Sequence, residues 1–312
     1  MTIDFHAHPV PDAFRKWLPK LDIDVIADDG FPLPQWSKEA HLQFMDEAGI
    51  DYTVLSMPTP HIHHGDDALS LQAATEINDE LALLKSDRFG WTACLPLPYV
   101  DGSIAEIRRC MAKDALGVKV LTNANGVYLG DPALDPVMEE LDRQHALVII
   151  HPCRAKERPA NCITGTVAAI YEYPTDTTRA VLNMIAHRIM TRFPNIRWIV
   201  PHCGSFLLYM LQRFSGVSTI LASMGMMETV DAKAEFENLS FDIAGDPEPV
   251  ALEMLRMVAA DDHIVFGSDF PHSPAKVILM KKKDFDGNAK WDGFRERIYS
   301  GNGLVKVNCE GK

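Results

Sequence analysis

The chain opens Met1-Thr2-Ile3-Asp4-Phe5-His6-Ala7-His8, and this stretch decides the fold. In an extended strand alternate side chains share one face, so His6 and His8 point one way and Ala7 the other. Neutral imidazoles are common ligands for zinc and similar ions, and two at this spacing can clasp one ion from one side of a strand. The pair can equally be ordinary histidines at a strand end. Three later apolar runs finish in the same manner, on a histidine or an aspartate: Ile149-Ile150-His151, Ile199-Val200-Pro201-His202 and Val265-Phe266-Gly267-Ser268-Asp269.

Working outward from these runs, strand-like and helix-like segments alternate along the chain. The pattern predicts strands over Thr2–His6, Thr53–Met57, Gly90–Leu95 and Gly117–Thr122, then over Leu147–His151, Arg197–His202, Leu239–Ile243 and His263–Ser268. Most are short, apolar and β-branched, as strands buried on both faces should be. Helices are predicted over Lys38–Ala48, Ala68–Lys85, Ser103–Ala115, Asp135–His145, Thr177–Arg192, Phe206–Leu221, Pro247–Ala259 and near Gly293–Tyr299. Asp176 is read as the N-cap of the Thr177–Arg192 helix. About eight strand–helix pairs imply a (β/α)8 TIM barrel forming one domain over residues 1–312. A doubly wound sheet would be expected to carry a glycine-rich phosphate loop, and none is present. In a barrel the strand C-terminal ends converge on one mouth, so His6, His8, His151, His202 and Asp269 would meet there. The proline-rich segment 9–37 would form a lid-like loop over that mouth.

Of 312 residues, 47% are hydrophobic and 23% charged, and the net charge is −13. The composition is that of a globular protein. The acidic balance argues against nucleic acid and against anionic membrane surfaces, both of which need a basic face. No apolar run approaches the ~20 residues of a membrane span, and no signal peptide is visible. The six cysteines are scattered without a secreted-framework spacing, so the expectation is a cytoplasmic protein with reduced thiols.

These residues resemble the decarboxylase branch of the amidohydrolase superfamily, typified by amino-carboxymuconate-semialdehyde decarboxylase and the hydroxybenzoate decarboxylases. The likeness is carried by Ile3-Asp4-Phe5-His6-Ala7-His8, Gly130-Asp131-Pro132, His151-Pro152, Asp176-Thr177-Thr178-Arg179, Pro201-His202-Cys203-Gly204, Phe266-Gly267-Ser268-Asp269-Phe270-Pro271 and Tyr299-Ser300-Gly301-Asn302. The run Asn125 to Pro132 looks most like the hydroxybenzoate and methylsalicylate side. The resemblance implies that His6, His8, His151 and Asp269 hold one divalent metal, usually zinc and sometimes manganese, with no organic cofactor. It implies that His202 is poised beside the metal, that Asp269 also takes part in proton transfer, and that the protein is a homodimer. Two departures stand out. No arginine lies in Phe31 to Trp36, where the muconate enzyme binds its substrate, and His272 replaces the aromatic residue that usually follows the metal aspartate by three positions.

Three imidazoles and a carboxylate around a divalent ion leave a net charge of about +1, which suits an anionic oxygen. A hydroxybenzoate can offer its carboxylate and phenolate as a chelating pair, and loss of carbon dioxide then requires a proton at the ipso carbon. Asp269 and His202 are both candidates to supply it. The same set, using metal-bound hydroxide, would serve hydrolysis of an ester, lactone or amide. Trp36 either caps an aromatic pocket or packs as loop core. Arg154, followed by Lys156 and Arg158, either attracts an acidic substrate or is simply solvated. His272, Trp36 and Arg154 are the candidate substrate contacts. Lys119, in the fourth strand, either is a carboxylated lysine of a binuclear site or carries its charge to solvent or a partner. His61, His63 and His64 read as a solvated loop or as substrate contacts.

Overall fold

The computed structural model describes residues 1–26, 30–63, 65–157 and 167–305. Ten strands form in chain order: β1 (Ile3–Ala7), β2 (Tyr52–Leu55), β3 (Phe89–Cys94), β4 (Gly117–Leu121), β5 (Asn123–Ala124), β6 (Val127–Tyr128), β7 (Leu147–His151), β8 (Arg197–Val200), β9 (Leu239–Asp242) and β10 (Ile264–Val265). Eight of them make one sheet in the order β1-β2-β3-β4-β7-β8-β9-β10, and every neighbouring pair is parallel. The seam from β10 back to β1 is closed by backbone bonds: Phe5 N to Phe266 O at 3.0 Å, Asp269 N to His6 O at 2.6 Å and His8 N to Phe270 O at 2.7 Å. The architecture is a (β/α)8 barrel, with β5 and β6 as a small antiparallel hairpin above the fourth strand. Among the described residues, no helix is long and apolar enough to cross a membrane.

The apolar residues divide into two layers. Ile3, Phe5, Val54, Leu147, Ile149, Ile199 and Val265 fill the barrel, joined by Val305 from the chain end. A larger cluster, including Trp91, Trp198, Val118 and Ile185, packs the helices onto the outside. The inner layer exposes a detail of β1 that alternation alone does not give. Its register against β2 slips by one residue between Asp4 and Ala7. An extra residue reverses the side-chain alternation, so Phe5 fills the barrel below while its neighbour His6 joins the cluster at the mouth.

Each expected strand is present, with ends moved by a residue or two. The last is much shorter than His263–Ser268, because from Phe266 onward the backbone leaves the sheet to meet β1 and Asp269 takes φ 62°. The helix expected over Thr177–Arg192 is corrected. It runs Ala168–Ala186, breaks at left-handed Arg188, and resumes over Ile189–Arg192. Asp176 therefore caps nothing. It is buried mid-helix and accepts hydrogen bonds from Asn123 Nδ2 at 2.8 Å, Tyr128 OH at 2.5 Å, Arg179 Nη1 at 2.7 Å and the Thr122 hydroxyl. Pro174 lies inside this helix, where it leaves one helical carbonyl without its usual N–H donor.

Segment 9–37 is only partly a loop. A helix, Asp12–Trp17, buries Phe14 and Trp17. Glu80 accepts from the backbone N–H of Asp12 and Ala13, satisfying two donors at that helix's start. Helices over Ala232–Glu237 and Ala275–Gly287 were not anticipated. The second carries Lys281, Lys282 and Lys283, of which Lys282 sits 4.5 Å over the Tyr299 ring.

Candidate metal centre and active site

The C-terminal ends of β1, β7, β8 and β10 deliver their polar residues to one place. The ring centroids of His6 and His8 are 4.8 Å apart, those of His8 and His151 4.8 Å, and those of His6 and His202 4.9 Å. One ligand nitrogen from each of His6, His8 and His151 lies within 4.8 Å of the other two. Asp269 Oδ1 is 3.4 Å from His8 Nε2 and 3.7 Å from His6 Nε2.

The outer nitrogens of His6, His8 and His151 are each tied to an acceptor. His8 Nδ1 meets Ser56 O at 3.0 Å, His151 Nδ1 meets Pro152 O at 2.8 Å, and His6 Nδ1 meets Asp242 Oδ2 at 2.7 Å. Carbonyl and carboxylate oxygens only accept, so this network assigns the proton to Nδ1 and leaves Nε2 with its lone pair. The Nε2 atoms of His6 and His8 are buried without a hydrogen-bond partner. Buried polar atoms without partners are rare and call for an explanation. A cation between them supplies one, and three nitrogens with a carboxylate oxygen are a suitable donor set for it.

The electrostatics agree with that fit. Burial pushes His6 down, yet the adjoining Asp242 carboxylate, with Asp269 and Asp4, raises it to about 9. The negative field that would hold a proton on His6 is equally a field for a metal cation. Burial, reinforced by neighbouring imidazoles, holds His151 well below the ordinary histidine value, and burial likewise lowers His8. Burial takes His202 down to about 4. For Asp269, burial works upward but is outweighed by the adjoining His8 and His6 imidazoles, so the carboxyl stays below its usual range. Asp269 Oδ2 accepts from Ser273 Oγ at 2.8 Å.

His202 stands on strained backbone. It and Cys203 take φ 55° and 53° in succession, a left-handed pair that non-glycine residues seldom adopt. Asp242 Oδ1 accepts from the backbone N of His202 and of Ala244, both at 3.0 Å. One buried carboxylate thus orients the His6 ring and secures the turn that carries His202. Gly267 is required by proximity: a Cβ there would lie 2.6 Å from that of His6.

Above the cluster opens a cavity of about 370 Å³, within the range of small-molecule sites. His151, His202 and Asp269 line it, together with Phe31, Thr59, Tyr173, His272 and Asp246. The structure therefore brings together His6, His8, His151, His202, Asp269 and His272. It does not bring Trp36 to the cavity lining. Trp36 Nε1 bonds to His41 Nδ1 at 3.0 Å and the ring packs on the outer core. Arg154 is also absent from the lining, and its guanidinium lies beside Gly30. Arg158 and His64 fall outside the described residues. Lys119 is buried and donates to Pro58 O at 3.0 Å.

Sequence reasoning missed Asp242, although the signal was available: it ends the run Leu239-Ser240-Phe241-Asp242 as His151 ends its own. Thr59 and Tyr173, whose hydroxyls are 3.2 Å apart on the cavity wall, had no comparable signal.

Comparison with known proteins follows the same lines. A 6-methylsalicylic acid decarboxylase of Penicillium expansum is 28% identical over 285 residues, covering 89% of this chain and 87% of that protein. The crystal structure of an amidohydrolase II, a structural-genomics target, is 29% identical, covers 97% of this chain and 98% of its own, and superposes with a TM-score of 0.90. The 5-carboxyvanillate decarboxylase of Novosphingobium aromaticivorans DSM 12444, crystallised with manganese and 4-hydroxy-3-methoxy-5-nitrobenzoic acid, shares the fold. It has a TM-score of 0.83 at 20% identity, over 97% of this chain and 94% of that one. The sequence model of the family described as amidohydrolase matches residues 3–303, and the chain belongs to that family.

Proposed function

We propose that this protein is a metal-dependent decarboxylase that releases carbon dioxide, without oxidation, from a small hydroxylated aromatic acid. The observation that supports a metal is the set of three imidazoles whose Nδ1 atoms are tied to acceptors, with the Nε2 atoms of His6 and His8 left unpartnered beside Asp269. The likeness to a 6-methylsalicylic acid decarboxylase over 89% of the chain supports the reaction. His6, His8, His151 and Asp269 would hold one divalent ion. Zinc suits the nitrogen-rich donor set, and manganese is the ion in a solved structure of the same fold.

When bound, the ion supplies Lewis acidity for the acid's carboxylate and neighbouring hydroxyl oxygen. The chain's own residues do the rest. Phe31 and Tyr173 flank the aromatic ring and help exclude water. Asp269 and His202 line the cavity, and one of them takes up the proton that the substrate's hydroxyl gives up and passes it to the ring carbon in place of the lost carboxyl group. No electrons leave the substrate, so no nicotinamide or flavin is required.

The test is proton magnetic resonance of hydroxybenzoates incubated with metal-loaded enzyme in heavy water. Deuterium at the former carboxylate carbon, with an equal amount of carbon dioxide, is the expected result. Cleavage of lactones or esters alone, with every aromatic acid intact, would move the assignment to a hydrolase. For the ligand set, His6→Ala and His8→Ala should lose most bound metal while circular dichroism stays that of the folded barrel. Near-stoichiometric metal in both would refute the assignment.

We read the protein as a homodimer. Phe206, Tyr209, Val217, Ile220 and Met224 are exposed along and beside the helix Leu207–Ser223, an apolar face that a second copy would cover. A cytoplasmic location is supported by the cysteines among the described residues, Cys94, Cys110, Cys153 and Cys203, which are all free and buried.

A further inference from the structure

His272 lies on the turn after Asp269. Its ring meets that of His8 edge-on with centroids 5.2 Å apart, and that of Phe31 at 5.7 Å. It lines the cavity, and its Nε2 is buried with no hydrogen-bond partner. The wall that bears hydroxyls differs, because Thr59 Oγ1 and Tyr173 OH lie within hydrogen-bonding distance of each other at 3.2 Å. His272 thus lines the cavity while its unmet Nε2 lies buried, in a ring beside one of the clustered imidazoles. Rotation about χ2, which is soft in histidine, can turn either ring nitrogen towards a bound molecule.

Its place next to His8 sets which part of a substrate it meets. A ring held by its carboxylate at the cluster presents to His272 the substituent flanking that carboxylate, not the far edge of the ring. We propose that His272 selects aromatic acids with a hydroxyl on both carbons flanking the carboxylate, and disfavours a methyl in place of the second hydroxyl. This rests on the decarboxylase reading of the site. A methyl would seal the imidazole away from water with no partner, whereas a hydroxyl can donate to it or accept from it. Sites built to hydrogen-bond a hydroxyl reject the analogue lacking it far more strongly than apolar pockets discriminate by shape.

The test uses 2,6-dihydroxybenzoate and 2-hydroxy-6-methylbenzoate, which differ only in that group. Carbon dioxide release gives kcat/KM for each acid with wild type, His272→Phe and His272→Asn, and metal content is measured for all three. Wild type should favour the dihydroxy acid by about tenfold or more. His272→Phe should erase or invert the preference, chiefly through loss on the dihydroxy acid, with metal retained. His272→Asn, which keeps a polar atom near the Nδ1 position, should restore part of it. Wild-type preference for the methyl acid, or a ratio unchanged in His272→Phe, overturns the proposal and leaves the decarboxylase reading standing. Metal loss from both variants also overturns it, making His272 a support for His8. No carbon dioxide from either acid refutes the decarboxylase reading, and the proposal with it.

Discussion

Replacing Asp242 with Asn changes one atom and should separate two tasks that a single carboxylate performs. Oδ1 accepts from the backbone N–H of His202 and Ala244, and Oδ2 accepts from His6 Nδ1. The asparagine carbonyl can keep both backbone bonds. Its NH2 group then faces His6 Nδ1, and two donors cannot share that contact. His6 must move its proton to Nε2, the nitrogen that faces His8 and Asp269. That nitrogen then has no lone pair for a metal. Losing a charge-assisted bond and restoring the productive tautomer costs roughly 1.5–3 kcal/mol. At about 1.4 kcal/mol per factor of ten this is roughly a 10- to 100-fold loss of metal affinity, the usual scale for such outer partners. Chelator competition measures the metal dissociation constant, and thermal unfolding of the metal-free protein checks that the turn is intact. Asp242→Ala is the contrast: it strands two buried N–H groups and should lower the unfolding temperature as well. Wild-type metal affinity in a folded Asp242→Asn protein would refute the tautomer argument.

The same pair gives the metal-free protein a pH signature. His6 is raised to about 9 by Asp242 and its neighbours, so its contribution to stability is complete below the unfolded value of about 6.5 and lost as pH rises through about 9. Unfolding followed across that window should show the metal-free wild type weakening with rising pH, and Asp242→Asn should lack this component. His202→Asn should retain metal at near wild-type occupancy yet lose activity by roughly two orders of magnitude or more, the scale of an acid–base group; parallel metal analysis and turnover decide, and loss of metal would put His202 in the coordination set. If the protein is the homodimer proposed, Tyr209→Asp, at a side chain 78% exposed on the apolar helix face, should give monomers in light scattering, and a dimer mass unaffected by the substitution would place the interface elsewhere.

The barrel was legible because its eight strands are short, apolar and nearly continuous, and because five of their polar neighbours repeat one arrangement. Asp242 obeys that arrangement and was overlooked because it is an outer partner of an imidazole, with no motif of its own. Asp176 was misplaced for a different reason. An aspartate before Thr177 and Thr178 has the local chemistry of a helix start, and only the tertiary demand of Thr122, Asn123 and Tyr128 shows why it lies mid-helix. Trp36 and Arg154 were read from position in sequence. A loop's path across the mouth is set by packing, here the His41 contact and the neighbourhood of Gly30, which no local pattern encodes.

Closing the barrel and assembling the site are the same physical event. Asp4 accepts from the backbone N of His6 and of Ser268, each at 3.0 Å, and from Ser268 Oγ at 2.5 Å, so a buried carboxylate joins the first strand to the last. Asp269 N donates to His6 O across that seam, and Gly267 lets the two backbones approach closely enough for it to form. The one-residue slip in β1 lies between Asp4 and Ala7, at the height where inner apolar packing gives way to imidazoles. Without the slip His6 would face the helices, and without the seam Asp269 would not reach His8. A chain that has not closed therefore has neither the imidazole cluster nor its cavity floor, and binding of a cation between the first and last strands would stabilise the closed barrel by mass action.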